Sequence, residues 1–280
     1  MIPAARRSVI VATAALLGAA APAFVHATCA STIGRTSPPP TVVKVVAIDR
    51  STVFDSPTER EITVRLIGWL QEGDRLAVVS FAGPAGATLD FEADIIAEKP
   101  IRLTERDIND IPVEKYKKLK NCYAHNYHEA QRRLERVLVQ TFAKKYSDPA
   151  AFSPIFETLV QLAGAFNDAR RAQSALVLIS DGVHHVKGRA SFYGTRGAVR
   201  EIAVFHELKK LKQSGLIPDL REVSVWHIGL GQPSLTDRGT VIPRRADEMT
   251  TLRAFYIEYW KATGAVLVDI GIPLPLRSFR

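Results

Sequence analysis

The sequence predicts an α/β fold in which a doubly wound, mostly parallel sheet carries helices on both faces and has one antiparallel edge strand. Apolar, β-branched runs such as 41–48 and 174–180 alternate along the chain with amphipathic segments of helical spacing. Strands that are separated by helices pair in parallel through right-handed crossovers. A third candidate strand, 87–98, alternates apolar and charged residues, which is typical of a sheet edge.

The helices and strands can be followed in order from the first strand, 41–48. Ser56, Pro57 and Glu59 form a helix-start signal, and the helix is predicted to run to about Gln71. The edge strand is followed by a long helix, predicted at about 123–145, and Ser153 opens another. The remaining predicted elements are strands at 74–83, 174–180, 222–231 and 265–271 and helices at 198–213 and 246–263.

Export is predicted by the first residues. Arg6 and Arg7 precede the apolar run Val9 to Phe24, and Ala27 ends a small-residue cleavage motif. The alternative is a retained membrane anchor, but a run of about sixteen residues is shorter than the roughly 20 that span a bilayer. We therefore expect a signal peptide at 1–27 and a periplasmic or secreted mature protein without a transmembrane segment.

The rest of the chain is expected to form one domain. Of its 280 residues, 46% are hydrophobic and 24% are charged, as in an ordinary globular protein. A proline-rich spacer at 28–40 precedes a domain at 41–280. The net charge of +8 is spread along the sequence without a basic, aromatic-studded motif, so nucleic acid is not an expected partner, whereas contact with acidic surfaces is open.

The two cysteines, Cys29 and Cys122, are predicted to form a disulfide. An oxidising compartment permits the bond, and the cysteine count is even. Such a bond would fix the N-terminal segment to the domain. The alternative is a pair of free thiols.

Two carboxylates stand at predicted strand ends: Asp49 follows the first strand and Asp181 follows the strand 174–180. The carboxyl ends of such strands border one crevice, and Ser153 begins a helix between them in sequence. Carboxylate and hydroxyl oxygens from separate loops are suited to Mg²⁺ or Mn²⁺. The alternative is that the aspartates cap local turns and that Ser153 is an ordinary N-cap.

The segments VVAIDRS, FSPIFETL and ALVLISDG resemble the von Willebrand factor A (vWA) domain family, over roughly 41–271. The resemblance implies a vWA/Rossmann-like fold and a metal-ion-dependent adhesion site, in which the metal's free position accepts an acidic residue of a partner. Matched by position, the implied metal ligands are Asp49, Ser51, Ser153 in place of the usual threonine, and Asp181.

The match departs from the family pattern at one position. Val53 stands where the second serine of the D-x-S-x-S loop is expected, and its side chain cannot ligate a metal. Thr52 and Asp55 are the neighbouring oxygen donors that could replace it. We therefore expect any Mg²⁺ or Mn²⁺ affinity to be weak.

The leading hypothesis is an exported protein-binding module, for adhesion or assembly, that engages an unidentified partner at the carboxyl rim of its sheet. Candidate partner-binding residues are Val53 and Phe54 on the first loop and His184 and His185 after the last aspartate. No catalytic residue is assigned, because no motif positions a nucleophile or general base. The alternatives are a metal-assisted hydrolase that uses Asp49 and Asp181, and a structural subunit of an envelope complex with a vestigial metal site.

Overall fold

The computed structural model describes residues 28–83, 89–147, 152–168, 173–186, 191–194, 198–235, 241–275, 277 and 279. The predicted signal peptide, 1–27, lies outside these residues. Within the described ranges, no helix combines the length and the hydropathy that crossing a bilayer requires.

A six-stranded sheet forms the centre of the fold and confirms the predicted fold class. Its strands are parallel except for β3, which pairs antiparallel with β2 at one edge. The spatial order is β3-β2-β1-β4-β5-β8. The strands are β1 Val42–Asp49, β2 Asp74–Phe81, β3 Asp90–Ile96, β4 Gln173–Ile179, β5 Val223–Ile228 and β8 Val266–Ile270, and a separate antiparallel pair joins β6 Ser234–Leu235 to β7 Val241–Ile242.

Helices cover both faces of this sheet. They are α1 Ser56–Trp69, α2 Glu105–Asp110, α3 Val113–Ser147, α4 Ile155–Asp168, α5 Val204–Gln213 and α6 Ala246–Thr263. Side chains alternate along each strand, so Val46 and Ile48 pack under α1 and α3, whereas Val45 and Ala47 pack under α4 and α6. Burial on both faces explains why β1 reads as an almost continuous apolar run.

Some boundaries differ from the prediction. Asp55, and not Ser56, is the N-cap of α1, and its side chain accepts a hydrogen bond from Thr58 N at 2.8 Å. Helix α3 begins at Val113, well before the predicted start near Tyr123, because its lysine-rich first turns carry few apolar residues to mark the helical period. Helix α2 and the β6–β7 pair were not predicted, since both are very short.

The predicted disulfide is present. Cys29 and Cys122 are bonded with a Cα–Cα distance of 5.5 Å, which joins a short 3₁₀ helix, Cys29–Ile33, to α3. Cys29 packs there with Leu119 and Tyr123. The segment 28–40 is therefore not only a spacer, because its first residues are buried against the domain; the division at residue 41 stays a prediction.

Replacing both cysteines by serine is expected to lower the free energy of unfolding by about 2–4 kcal/mol, because the bond closes a long loop of the unfolded chain. The two residues are separated by 93 positions. Urea denaturation of the oxidised protein and the double variant measures the difference. Mass spectrometry of the unreduced protein should show a linked peptide pair; two thiols that alkylate without reduction would contradict the assignment.

Candidate functional site

The candidate site lies where the strand order changes direction. Asp49 ends β1, and Ser180 and Asp181 directly follow β4, the strand beside it. From this pair the chain builds outward to β2 and β3 on one side and to β5 and β8 on the other. In doubly wound sheets the crevice at such a point is the usual binding site.

The Asp49 carboxylate accepts hydrogen bonds from three parts of the chain: the first loop, the residues before α4 and the end of β4. Its Oδ1 accepts hydrogen bonds from Ser51 N at 2.9 Å and Ser51 Oγ at 2.6 Å. Its Oδ2 accepts from Ser153 Oγ at 2.6 Å and Ser180 Oγ at 2.8 Å. Asp49 is 1% exposed, so these four bonds replace its contact with water.

Asp181 is held by a second set of partners and is fully buried. Its Oδ1 accepts a hydrogen bond from Val183 N at 2.9 Å, and its Oδ2 accepts one from Ser234 Oγ. The same Oδ2 lies 3.5 Å from Nη2 of Arg244. The acidic residues of the two loops are thus brought together, as predicted, but Asp181 is paired with a cation of the chain itself.

Arg244 reaches the site from the residues between β7 and α6. Its side chain is 0% exposed, and Nη2 donates hydrogen bonds to Tyr193 Oη at 3.0 Å and to Ser234 Oγ. The guanidinium carbon lies 5.1 Å from the centre of the Tyr193 ring, within the range of a cation–π contact. One arginine therefore joins the end of β4, the β6 strand and the loop that carries Tyr193.

Burial dominates the electrostatics of the two carboxylates. It raises the pKa of Asp49 to about 6, helped by the nearby charge of Asp181 and opposed by the three serine hydroxyls. Burial also raises the pKa of Asp181, whereas the Arg244 charge and the Ser234 hydroxyl lower it. Asp49 therefore takes up a proton at a higher pH than an ordinary aspartate does.

The four predicted ligands have suitable chemistry for a small divalent cation, but their arrangement does not fit a site that a partner completes. Every oxygen of the two carboxylates already accepts a hydrogen bond. Asp49, Ser153 and Asp181 are each at most 3% exposed, so an external carboxylate has no access to them. Within the described ranges, no three acidic, histidine or cysteine residues are grouped to hold a metal. Cation binding stays a prediction.

Neither residue proposed to compensate for Val53 is placed as a ligand. Thr52 Oγ1 accepts a hydrogen bond from Asp181 N at 2.8 Å, so its hydroxyl supports the loop backbone. Asp55 points away to cap α1.

The structure corrects the expectation that Phe54 forms an exposed rim surface. Phe54 is 3% exposed and packs edge-on against Phe142, with ring centroids 6.5 Å apart. A Cβ added to Gly229 would lie 2.4 Å from the Phe54 ring, which shows how closely the backbone covers it. Val53 is half-buried, and its N–H donates to Pro233 O at 2.8 Å.

His184 is a second correction. It is 1% exposed, with its ring centroid 4.4 Å from that of Phe156, and burial lowers its pKa to about 3. Beyond Gly182, the residues Val183, His184 and Val186 are all buried, so His184 belongs to the interior. Only His185 of this pair is partly exposed.

His185 belongs to an aromatic row, which we define as Phe152, His185 and Tyr193. The Phe152 and His185 rings are stacked with centroids 5.1 Å apart, and the Tyr193 ring meets His185 edge-on at 5.0 Å. All three residues are partly exposed. The row is anchored to the buried cluster at two points. The backbones of His185 and Ser153 exchange two hydrogen bonds, and the Tyr193 hydroxyl accepts a hydrogen bond from Arg244.

Several site residues were missed by sequence reasoning. Ser180 had a usable signal, because it directly precedes Asp181 at the strand end. The others belong to no motif, and they lie in loops or, for one of them, in the two-residue strand β6. They are Ser234, Arg244, Phe152 and Tyr193.

The strand order, with helices on both faces of the sheet, is consistent with an α/β fold of the vWA/Rossmann-like class. Neither protein-family models nor curated proteins match the chain. Among solved structures, an aerotolerance-related membrane protein from Bacteroides fragilis is 18% identical, with 84% of this chain and 92% of that chain aligned and a TM-score of 0.40.

Two further solved structures are similar at a comparable level. The conserved hypothetical protein BatB from Bacteroides thetaiotaomicron is 16% identical, with 84% of this chain and 89% of that chain aligned and a TM-score of 0.33. The TFIIH p34 N-terminal domain is 10% identical, with 82% and 91% aligned and a TM-score of 0.33.

Proposed function

We propose that this chain is an exported protein-binding module that engages a protein partner through the aromatic row at the carboxyl rim of its sheet. The observation that carries the proposal is the row itself: three contiguous rings, each partly exposed, directly above a buried polar cluster. Aromatic residues are enriched at protein interfaces because they bury a large area at a small cost in side-chain entropy.

The backbone holds the row in a fixed position. Ser153 N donates to His185 O at 2.9 Å, and His185 N donates to Ser153 O at 3.0 Å. The imidazole Nδ1 lies 2.8 Å from Ser191 Oγ, which orients the ring. A surface that is ordered before binding loses less entropy on association, and this property suits a recognition site.

The buried carboxylates support binding rather than hydrolysis. A catalytic base must come within hydrogen-bond distance of the proton that it removes. Asp49 and Asp181 are enclosed by their own partners, and Asp181 is also paired with Arg244. In this arrangement they serve as supports for the rim, and the hydrolase alternative would require the loops to open.

A pull-down from the native envelope, with His185→Ala and Phe152→Ala as test variants, addresses the proposal. Each is expected to reduce recovery of the partner at least tenfold, because truncation of a central interface residue commonly costs more than about 1.4 kcal/mol. Phe205→Ala is the matched control, since Phe205 is an 83% exposed aromatic residue on α5, outside the row. Its recovery should equal that of the natural chain.

The same experiment is repeated with a chelator. We expect recovery to be unchanged, because the row makes its contacts without a cation. Equal losses in Phe205→Ala and the row variants would contradict the proposed surface. Loss of the partner on chelation would instead favour a cation-dependent interface.

A further inference from the structure

A buried arginine, Arg244, lies beside one of the two strand-end aspartates, and its charge has a role beyond its hydrogen bond to Tyr193 of the aromatic row. Asp49 and Asp181 are two carboxylates in a region from which water is excluded, and the structure places the guanidinium of Arg244 against Asp181. Buried charges need compensation, which a metal or a basic side chain can supply.

We propose that Arg244 is a built-in cation that takes the place of a divalent ion in this cluster, so that the loops at the strand ends assemble without a metal. Arg244 and a divalent ion are then mutually exclusive: the chain binds no ion here while Arg244 is in place, and its removal creates a cation site. This inference is independent of the aromatic row's role in partner binding.

The contacts of Arg244 reproduce what an ion would do. A metal in such a crevice draws separate loops together through their oxygen atoms, and Arg244 does so through N–H donors to Tyr193 and Ser234 and a charge contact to Asp181. Arginine is suited to this task because its guanidinium stays charged and offers five donors in a fixed plane. Being covalently attached, it also needs no free ion in solution.

Mutual exclusion follows from charge and from shared oxygens. An ion ligated by Asp181 would lie close to the guanidinium, and like charges in a buried region repel strongly because water does not screen them. The ion would also compete for Oδ2 of Asp181, which already faces both Ser234 and Arg244. Removing the guanidinium leaves this oxygen with Ser234 as its remaining partner of the two and leaves the cluster with uncompensated negative charge.

The test measures Mn²⁺ binding, by the loss of the free-ion electron paramagnetic resonance signal and by calorimetry. Arg244→Gln is the test variant. Arg245→Gln is the matched control, because Arg245 is the next residue, carries the same charge and is 69% exposed in a surface pair with Asp247. We expect Arg244→Gln to bind Mn²⁺ at least tenfold more tightly than the natural chain, and Arg245→Gln to bind as the natural chain does.

A double variant separates charge compensation from packing. Arg244→Gln combined with Asp181→Asn removes both charges; it is expected to be more stable than Arg244→Gln alone and to lose the new Mn²⁺ site. If Arg244→Gln is unfolded in metal-free buffer, we expect Mn²⁺ to restore its folding, and failure of Mn²⁺ to do so overturns the proposal.

Two other results would also overturn it. One is a folded Arg244→Gln variant whose Mn²⁺ affinity equals that of the natural chain. The other is a natural chain that binds Mn²⁺ at micromolar concentration and loses that binding in Asp49→Ala, since arginine and ion would then coexist.

Discussion

The Asp49→Ala variant is expected to lose about 3–5 kcal/mol of unfolding free energy, because each buried donor left without a partner costs about 1–3 kcal/mol. Asp49 accepts hydrogen bonds from Ser51 N and from the hydroxyls of Ser51, Ser153 and Ser180. Relief of the repulsion between the two buried carboxylates offsets part of this cost. Urea denaturation measures the loss, which should be the same in 10 mM Mg²⁺ and in a chelator.

Asp55→Ala is the matched control for this experiment. It removes a second aspartate of the same loop, but one that only caps α1, so its expected cost is about 1 kcal/mol. The interpretation fails if Mg²⁺ stabilises the natural protein strongly and leaves Asp49→Ala unaffected. That result would show that Asp49 stabilises the protein mainly as a metal ligand and less as a hydrogen-bond acceptor.

The second large effect is expected in acid. Burial holds the pKa of His227 at about 3 and that of His184 at about 3, against an ordinary value of 6.5. Between pH 6.5 and 3 these histidines bind protons in the unfolded chain but stay neutral in the folded chain. The stability that their neutral rings contribute is therefore complete above pH 6.5. It is lost as the pH falls from 6.5 towards 3, and the loss at pH 5 is about 2 kcal/mol for each histidine.

His227→Gln is the sharper variant for this test, because His184 Nδ1 lies 3.9 Å from a carboxylate oxygen of Glu157. The His227 ring is buried against Tyr256 and Trp260, and its Nε2 lies 3.2 Å from Ser180 O. Urea denaturation at pH 7, 6 and 5 should show a smaller loss for His227→Gln than for the natural chain, by about 2 kcal/mol at pH 5.

The natural chain must be compared with His227→Gln because Asp49 changes the pH dependence of stability in the opposite direction to the histidines. Its pKa is raised to about 6, so the folded state gains stability relative to the unfolded state as the pH falls through 6. This contribution is common to both chains and cancels in the difference. Parallel pH curves for the natural chain and His227→Gln would show that His227 is protonated without unfolding.

Much of the fold could be predicted from the sequence, because its elements carry strong periodic signals. The apolar run at 41–48 became β1, the charged alternation at 87–98 became the antiparallel edge strand β3, and the predicted helix 246–263 has the bounds of α6. The meeting of Asp49 with Asp181 was also predictable, since neighbouring parallel strands bring their carboxyl ends to one crevice.

The sequence by itself thus determined the sheet, its helical layers, the disulfide partners and the position of the two aspartates. Only the tertiary structure decided what surrounds them. Phe54 and His184 turn inward because the loops that carry them pack against Phe142 and Phe156. Arg244 enters the cluster because the chain returns over the strand ends after β7. Burial and charge pairing of this kind depend on the whole fold, so they leave no local pattern in the sequence.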